Sequence, residues 1–132
     1  MESYELNEPG FFPFLIRDGW QVAKLNYIAE QHINNIQKIE VHQQTDEVFV
    51  LLKGSAVLII ADLQNEKPLF KIKSMQPLSV YNIPKGTWHN IAMEEGSEVL
   101  IVEKSNTHLH DVDYFELAPK DITNLKGEFF KS

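Results

Sequence analysis

The chain has 132 residues, the length of one domain. Its 43% hydrophobic and 23% charged residues give an ordinary globular composition, which excludes disordered, collagen-like and coiled-coil classes. A formal charge of −7 without a Lys/Arg cluster weighs against nucleic-acid binding, and the absence of cysteine excludes disulfides, thiolate nucleophiles and Cys-type metal sites. Met1–Glu8 is acidic and lacks a basic segment leading into an apolar one, so no signal peptide is expected. The longest unbroken apolar run, Ala56–Ala61, is far short of the ~20 residues that span a bilayer. A cytoplasmic protein with no membrane partner is expected. Short β-like runs follow in chain order: Phe12–Ile16, Trp20–Ile28, Ile36–His42, Glu47–Leu52, Ala56–Leu63, Leu69–Lys73, Ser79–Ile83, Trp88–Met93 and Glu98–Glu103. Turn residues separate them at Asp18-Gly19, Lys53-Gly54-Ser55, Asn65-Glu66-Lys67-Pro68, Pro84-Lys85-Gly86 and Glu95-Gly96-Ser97. This spacing predicts a single all-β domain over residues 1–132, a sandwich or barrel. Helix signals are weak: Ala29–Asn35 can hold one turn, and the tail after Pro119 another short piece.

Alternation along the strands adds a second constraint. In Glu47–Leu52 the odd positions are Glu47, Phe49 and Leu51, and the even positions are Val48, Val50 and Leu52, so both faces are mostly apolar. Val57–Ile60 and Val99–Val102 read the same way. One such face lines the domain interior; the other must meet a second sheet or another subunit. A homodimer is expected, with Val48, Val50, Leu52 and Phe11–Ile16 as candidate interface residues.

Two segments carry the chemistry. Glu40-Val41-His42 closes one strand, and a polar turn leads to Glu47, which opens a strand ending at Gly54. Further on, Pro84-Lys85-Gly86-Thr87-Trp88-His89 fixes another strand entry. Glu40 and His42, two apart, share a face. A carboxylate entering a barrel, as Glu47 does, is costly unless paired or bound to metal. Two imidazoles and two carboxylates suit a divalent ion with open positions.

These segments resemble the two motifs of the cupin superfamily, Gly-x5-His-x-His-x3–4-Glu-x6-Gly and Gly-x5-Pro-x-Gly-x2-His-x3-Asn, over about Asn34–Val102. His42, Glu47 and Gly54 match the first, with Glu40 in place of its first His and Asn34 in place of its opening Gly, an exchange that asparagine's tolerance of left-handed backbone makes mild. Pro84, Gly86 and His89 match the second, with Leu78 and Met93 replacing its opening Gly and closing Asn. The resemblance implies a small cupin-type β-barrel of two antiparallel sheets with at most short helical turns. It implies a divalent metal (Mn, Fe, Zn or Ni) held by His42, Glu47 and His89, with Glu40 as a fourth ligand, a carboxylate behind the ligands or an exposed charge. The extra carboxylate favours a harder ion such as Mn²⁺ or Fe²⁺ over Cu²⁺.

Three functions remain open on the sequence. The first is a metal-dependent cupin binding a small molecule, as an isomerase, decarboxylase or oxygenase of a sugar or small oxoacid. The second is a metal-free sugar epimerase or isomerase with His42 or His89 as base and a tyrosine such as Tyr81 as acid. The third is a non-enzymatic ligand-binding module. Tyr27, Tyr81 and Trp88 are candidates for the cavity mouth. His108-Leu109-His110-Asp111 reads as a surface loop, and His32 as a surface residue.

Overall fold

A computed structural model describes residues 1–131. Ten strands form two five-stranded antiparallel sheets. The first has the order β1 (Gly10–Arg17), β2 (Trp20–Asn26), β9 (Glu98–Glu103), β4 (Glu47–Lys53) and β7 (Val80–Ile83). The second has the order β10 (Asp113–Glu116), β3 (Lys38–Val41), β8 (Trp88–Met93), β5 (Ala56–Gln64) and β6 (Lys67–Ser74). This is the all-β, two-sheet architecture that the resemblance implies, with β10 a tenth strand absent from the expected runs. Among the described residues, no helix is long and apolar enough to cross a membrane.

The turns follow from their residues. Gly19, at φ 90°, closes the two-residue link between β1 and β2. Asn65 and Glu66 both take positive φ, 51° and 61°, as the two-residue hairpin β5–β6 requires. Pro68 is tolerated in β6 because that strand lies at a sheet edge. Gly54, at φ 88°, meets a stricter demand, because a Cβ there would lie 2.7 Å from the Ser97 backbone.

Two differences concern the motif glycines. Leu78, which stands where the second motif has glycine, is in the left-handed region at φ 68°. Its amide donates to Leu51 O at 3.0 Å, so the fold needs that conformation and a branched side chain carries it. Asn34 lies in the 3-10 turn Ile33–Asn35 without a positive φ, so the tolerance that made its exchange mild is not used.

The core has two layers. Between the sheets pack Ala23, Leu25, Phe49, Leu51, Leu58, Ile91, Val99 and Ile101, the inward-phase residues of their strands. Behind the second sheet, Ile39, Ile59, Ala61 and Ala92 pack with Leu117 and Leu125. Leu125 belongs to α2 (Pro119–Lys131), longer than the short piece expected of the tail. Pro119 opens this helix, and the Asp121 carboxylate accepts from the Ala118 amide at 3.0 Å, satisfying a donor at its start. Gly127 and the polar residues weaken the helix signal locally; Ile122, Leu125 and Phe129, spaced three and four apart, pack against the sheet and stabilise it. The outer apolar face of β5 is thus covered by the chain's own helix. The turn at Ala29–Asn35 is present as two 3-10 turns, Ala29–Gln31 and Ile33–Asn35.

Two substitutions test these constraints. Leu78→Gly should raise stability by about 1 kcal/mol in urea denaturation, because it relieves a left-handed branched residue that is 74% exposed. Leu125→Ala should lower it by roughly 2–5 kcal/mol.

Candidate metal centre

Between the sheets lies a cavity of about 230 Å³. Glu40, His42, Glu47, His89 and Glu103 line it together with Phe11, Leu25, Phe49, Ile91 and Ile101. The structure therefore brings together the four residues expected from the sequence and adds a fifth, Glu103. Strand register explains the grouping. Glu40 pairs with His89 across β3 and β8, and Glu47 pairs with Glu103 across β4 and β9. Both pairs project into one space between the sheets.

The imidazoles are held from behind. His42 Nδ1 lies 2.7 Å from Asp111 O, and His89 Nδ1 lies 2.8 Å from Thr87 O. A carbonyl only accepts, so each Nδ1 carries a proton. Each Nε2 then faces the cavity. Both point at one oxygen, Glu47 Oε1, at 3.1 Å from His42 and 2.8 Å from His89. A neutral imidazole in this tautomer would set a lone pair against a carboxylate oxygen. The contacts are favourable only with a second proton on the ring or with a cation between the groups.

Electrostatics describe the protonated alternative. Burial disfavours the charged His42, but the hydrogen bond and charge of Glu47 outweigh it and raise its pKa to about 9. His89 is raised against burial by the same Glu47 contacts. Burial would push Glu47 up, yet hydrogen bonds from His42 and His89 bring it down to about 2. Glu103 is the reverse case: burial and then the Glu47 charge push it up to about 8. Burial also raises Glu40, against the pull of His89.

Glu103 Oε1 is buried and has no hydrogen-bond partner, although it lies 3.8 Å from His42 Nε2. Its other oxygen accepts from Gln21 Nε2 at 3.2 Å. An unpaired buried carboxylate oxygen is costly unless a proton or an ion satisfies it. Ligand atoms of His42, Glu47 and Glu103 lie within 4.8 Å of one another, and so do those of Glu40, His42 and His89. Two Nδ1-anchored imidazoles, a carboxylate between them and an orphan carboxylate oxygen fit a divalent cation. Glu40 sits at the rim, its side chain 34% exposed and 3.7 Å from His42 Nε2.

Several other candidates lie elsewhere. Tyr81 accepts a hydrogen bond from the Gln76 amide and packs against the inter-sheet core, outside the cavity lining. That removes it as the acid of a metal-free mechanism. Tyr27 also packs on that core, and Trp88 stacks edge-on with Phe115 in the outer layer. Tyr114 is the tyrosine that lines the cavity. His32 stays near the surface beside Glu94. The segment read as a surface loop is a helical turn, α1 (Thr107–His110), which brings His108 into the cavity lining and the Asp111 carbonyl onto His42. Asp111 also uses both carboxylate oxygens to accept from the amides of Gln43 and Gln44, pinning the turn between His42 and Glu47. Glu103 and Gln21 lie outside both motifs, but their strand phase was a signal. Each sits in step with inward apolar residues, Val99 and Ile101 for the one, Ala23 and Leu25 for the other.

No protein-family model and no curated protein sequence matches the chain. Solved structures do. A cupin-2 domain protein from Shewanella frigidimarina superposes with a TM-score of 0.51 at 20% identity, covering 75% of this chain and 84% of that one. A cupin superfamily protein from Desulfitobacterium hafniense gives 0.54 at 18% identity, covering 80% and 84%. Pac13, described as a unique nucleoside dehydratase, gives 0.59 at 10% identity, covering 87% and 86%; a Streptomyces Pac13 variant was solved with uridine. Likeness at these identities concerns the fold. The chain has the fold of a small cupin-type β-barrel domain.

The linked protonations set a pH profile for the protein in chelator. His42 gives stability that is full below its ordinary pKa of 6.5 and is lost as pH rises through about 9. Glu103 costs stability as pH rises from its ordinary 4.5 to about 8, since the unfolded chain ionises first. Glu47 gives stability that is present above 4.5 and lost as pH falls through about 2. Melting temperature should therefore peak in mildly acidic buffer and decline toward pH 9, and Glu103→Gln should flatten the decline between 4.5 and 8.

Proposed function

We propose that this domain is a metal-dependent cupin that holds one divalent cation through His42, Glu47, His89 and Glu103, with Glu40 at the rim. Beside it, the cavity would bind and transform a small polar molecule in an isomerase, decarboxylase or oxygenase type of reaction. The observation that carries this reading is the convergence of two Nδ1-anchored imidazoles on Glu47 Oε1 next to the partnerless Glu103 Oε1. The carboxylate-rich donor set favours Mn²⁺ or Fe²⁺. A bound divalent ion supplies Lewis acidity for an oxygen of the ligand. The chain's own residues do the rest. Asp111 and Thr87 carbonyls fix the imidazole tautomers, and Gln21 holds Glu103 in place. Phe11, Phe49 and Ile101 restrict water on the apolar side. Glu40, half-buried with a raised pKa, is placed to accept a proton from a ligand hydroxyl. The similarity to Pac13, solved with uridine, supports a small-molecule role for this kind of cavity.

A second reading has its own support. The His42–Glu47–His89 contacts are complete as ion pairs, so a metal-free acid–base site remains chemically coherent, with Tyr114 the cavity tyrosine. Elemental analysis of protein purified without chelator or affinity metal separates the two. The metal reading expects one Mn or Fe per chain and near-complete loss in the His42→Ala, His89→Ala double mutant. Full stoichiometry in that mutant rejects the assignment. Because both imidazoles hold their second proton above the usual histidine range, metal affinity should keep rising with pH well past about 6.

We also propose a homodimer through the outer face of the first sheet. Cross-strand register aligns Val22, Val102 and Val48 in one row and Leu100, Val50 and Val80 in the next. Among the described residues no helix covers this side, Val80 is 70% exposed and Leu52 is 40% exposed. Phe11, by contrast, faces the cavity and leaves the candidate interface. Sedimentation should give a dimer mass at micromolar concentration that Val50→Lys converts to a monomer; a monomeric parent protein rejects the interface.

A further inference from the structure

The polar groups of the cavity that do not serve the metal centre constrain what can fill it. No lysine or arginine lines the cavity among the described residues. Lys38, two residues from Glu40, lies over the Tyr114 ring at 4.2 Å from its centroid. Three carboxylates already balance or exceed the charge of a divalent ion, so no positive potential is left for an anionic ligand. Apart from the Tyr114 hydroxyl, which both donates and accepts, and a second Asn90 amide proton, the free hydrogen-bonding capacity accepts. Gln31 donates its amide nitrogen to Ile91 O at 2.7 Å and to Asn90 Oδ1 at 3.1 Å, which leaves its carbonyl oxygen to accept. Asn90 gives one of its two amide protons to Lys38 O and accepts from Gln31 with its oxygen. Glu40 also accepts. A phosphate or carboxylate brings acceptors to acceptors; hydroxyls bring the donors these groups need.

One donor of fixed orientation stands against this set. Gln21 Oε1 accepts from the Asn106 amide at 2.9 Å, which fixes the orientation of its side-chain amide. Its Nε2 therefore donates to Glu103 Oε2 and to His108 Nδ1, both at 3.2 Å. With Nδ1 accepting, the His108 proton sits on Nε2. Burial lowers the His108 pKa, in keeping with a neutral ring. His108 lines the cavity beside Phe11, with ring centroids 5.8 Å apart, so donor and apolar ring face the same space.

Resting on the metal-site reading above, we infer that the cavity takes an uncharged, hydroxyl-rich ring of sugar-like chemistry, not a phosphorylated or carboxylated ligand, and that His108 is the fixed donor that recognises it. The hydroxyls meet Gln31 and Glu40, and the less polar ring face lies toward Phe11. This discards the oxoacid branch of the possible ligands and keeps the sugar branch.

Calorimetry on the Mn²⁺-loaded protein tests it, with ribose, xylose and inositol as neutral probes and ribose 5-phosphate and xylonate as charged ones. A neutral probe should bind at least about tenfold more tightly than its charged counterpart. His108→Phe, which keeps the aromatic contact and removes the donor, should weaken that binding about tenfold, and His108→Gln, which restores a donor, should recover most of it. Metal content should not change in either variant. Equal or tighter binding of the charged probes overturns the ligand class, and an unaffected His108→Phe overturns the role of His108. If no neutral probe binds at about 10 mM while one metal per chain is retained, the ligand inference fails and the metal reading stands. Failure to take up Mn²⁺ or Fe²⁺ sinks the metal reading itself.

Discussion

Burial of the Glu47 carboxylate between two histidines is the constraint on which the rest of the site depends. A carboxylate only 6% exposed cannot remain ionised without compensation. Its compensation comes from His42 Nε2 and His89 Nε2, and each ring is held by a backbone carbonyl behind it. Those carbonyls come from distant parts of the chain. Thr87 belongs to the Pro-x-Gly turn before β8, and Asp111 follows α1 near the end of the second sheet's edge. Holding one carboxylate therefore requires both motif segments and the connection to β10 at once.

The same constraint organises the neighbouring charges. Burial, and after it ionised Glu47, drives Glu103 toward its protonated form, and Glu47 helps keep both imidazoles charged in the protein alone. These protonations and a divalent cation are competing solutions to one problem of buried charge. Gln21 extends the arrangement, tying Glu103 to His108 through one side-chain amide of fixed orientation.

The fold distributes its apolar surface unequally. The central strands of the second sheet are covered on their outer face by α2, while among the described residues no helix packs on the outer face of the first sheet. Two-sided hydrophobicity in the sequence pointed to a second sheet or another subunit as the cover of the outer faces; over β5 the cover is a helix instead. For β5 the supplier is Leu125 and its neighbours on α2, which a window of local helix propensity underrates because packing stabilises them.

The sequence by itself determined nine of the ten strands and most turn positions, because these depend on local alternation and on residues such as Gly19 and Gly54 that local backbone geometry demands; the short edge strand β10, Asp113–Glu116, was not legible in it. Trp88–Met93 and Glu98–Glu103 have the bounds that the sequence predicts. It also placed Glu40, His42, Glu47 and His89 as a candidate set through motif spacing. Tertiary structure alone decided that Glu103 joins them, since cross-strand register with Glu47 links residues far apart in the chain. It likewise moved Tyr81 out of the cavity lining and His108 into it. Local alternation fixes which face a side chain takes; which side chains meet there depends on how the sheets pair and pack, and no local window contains that information.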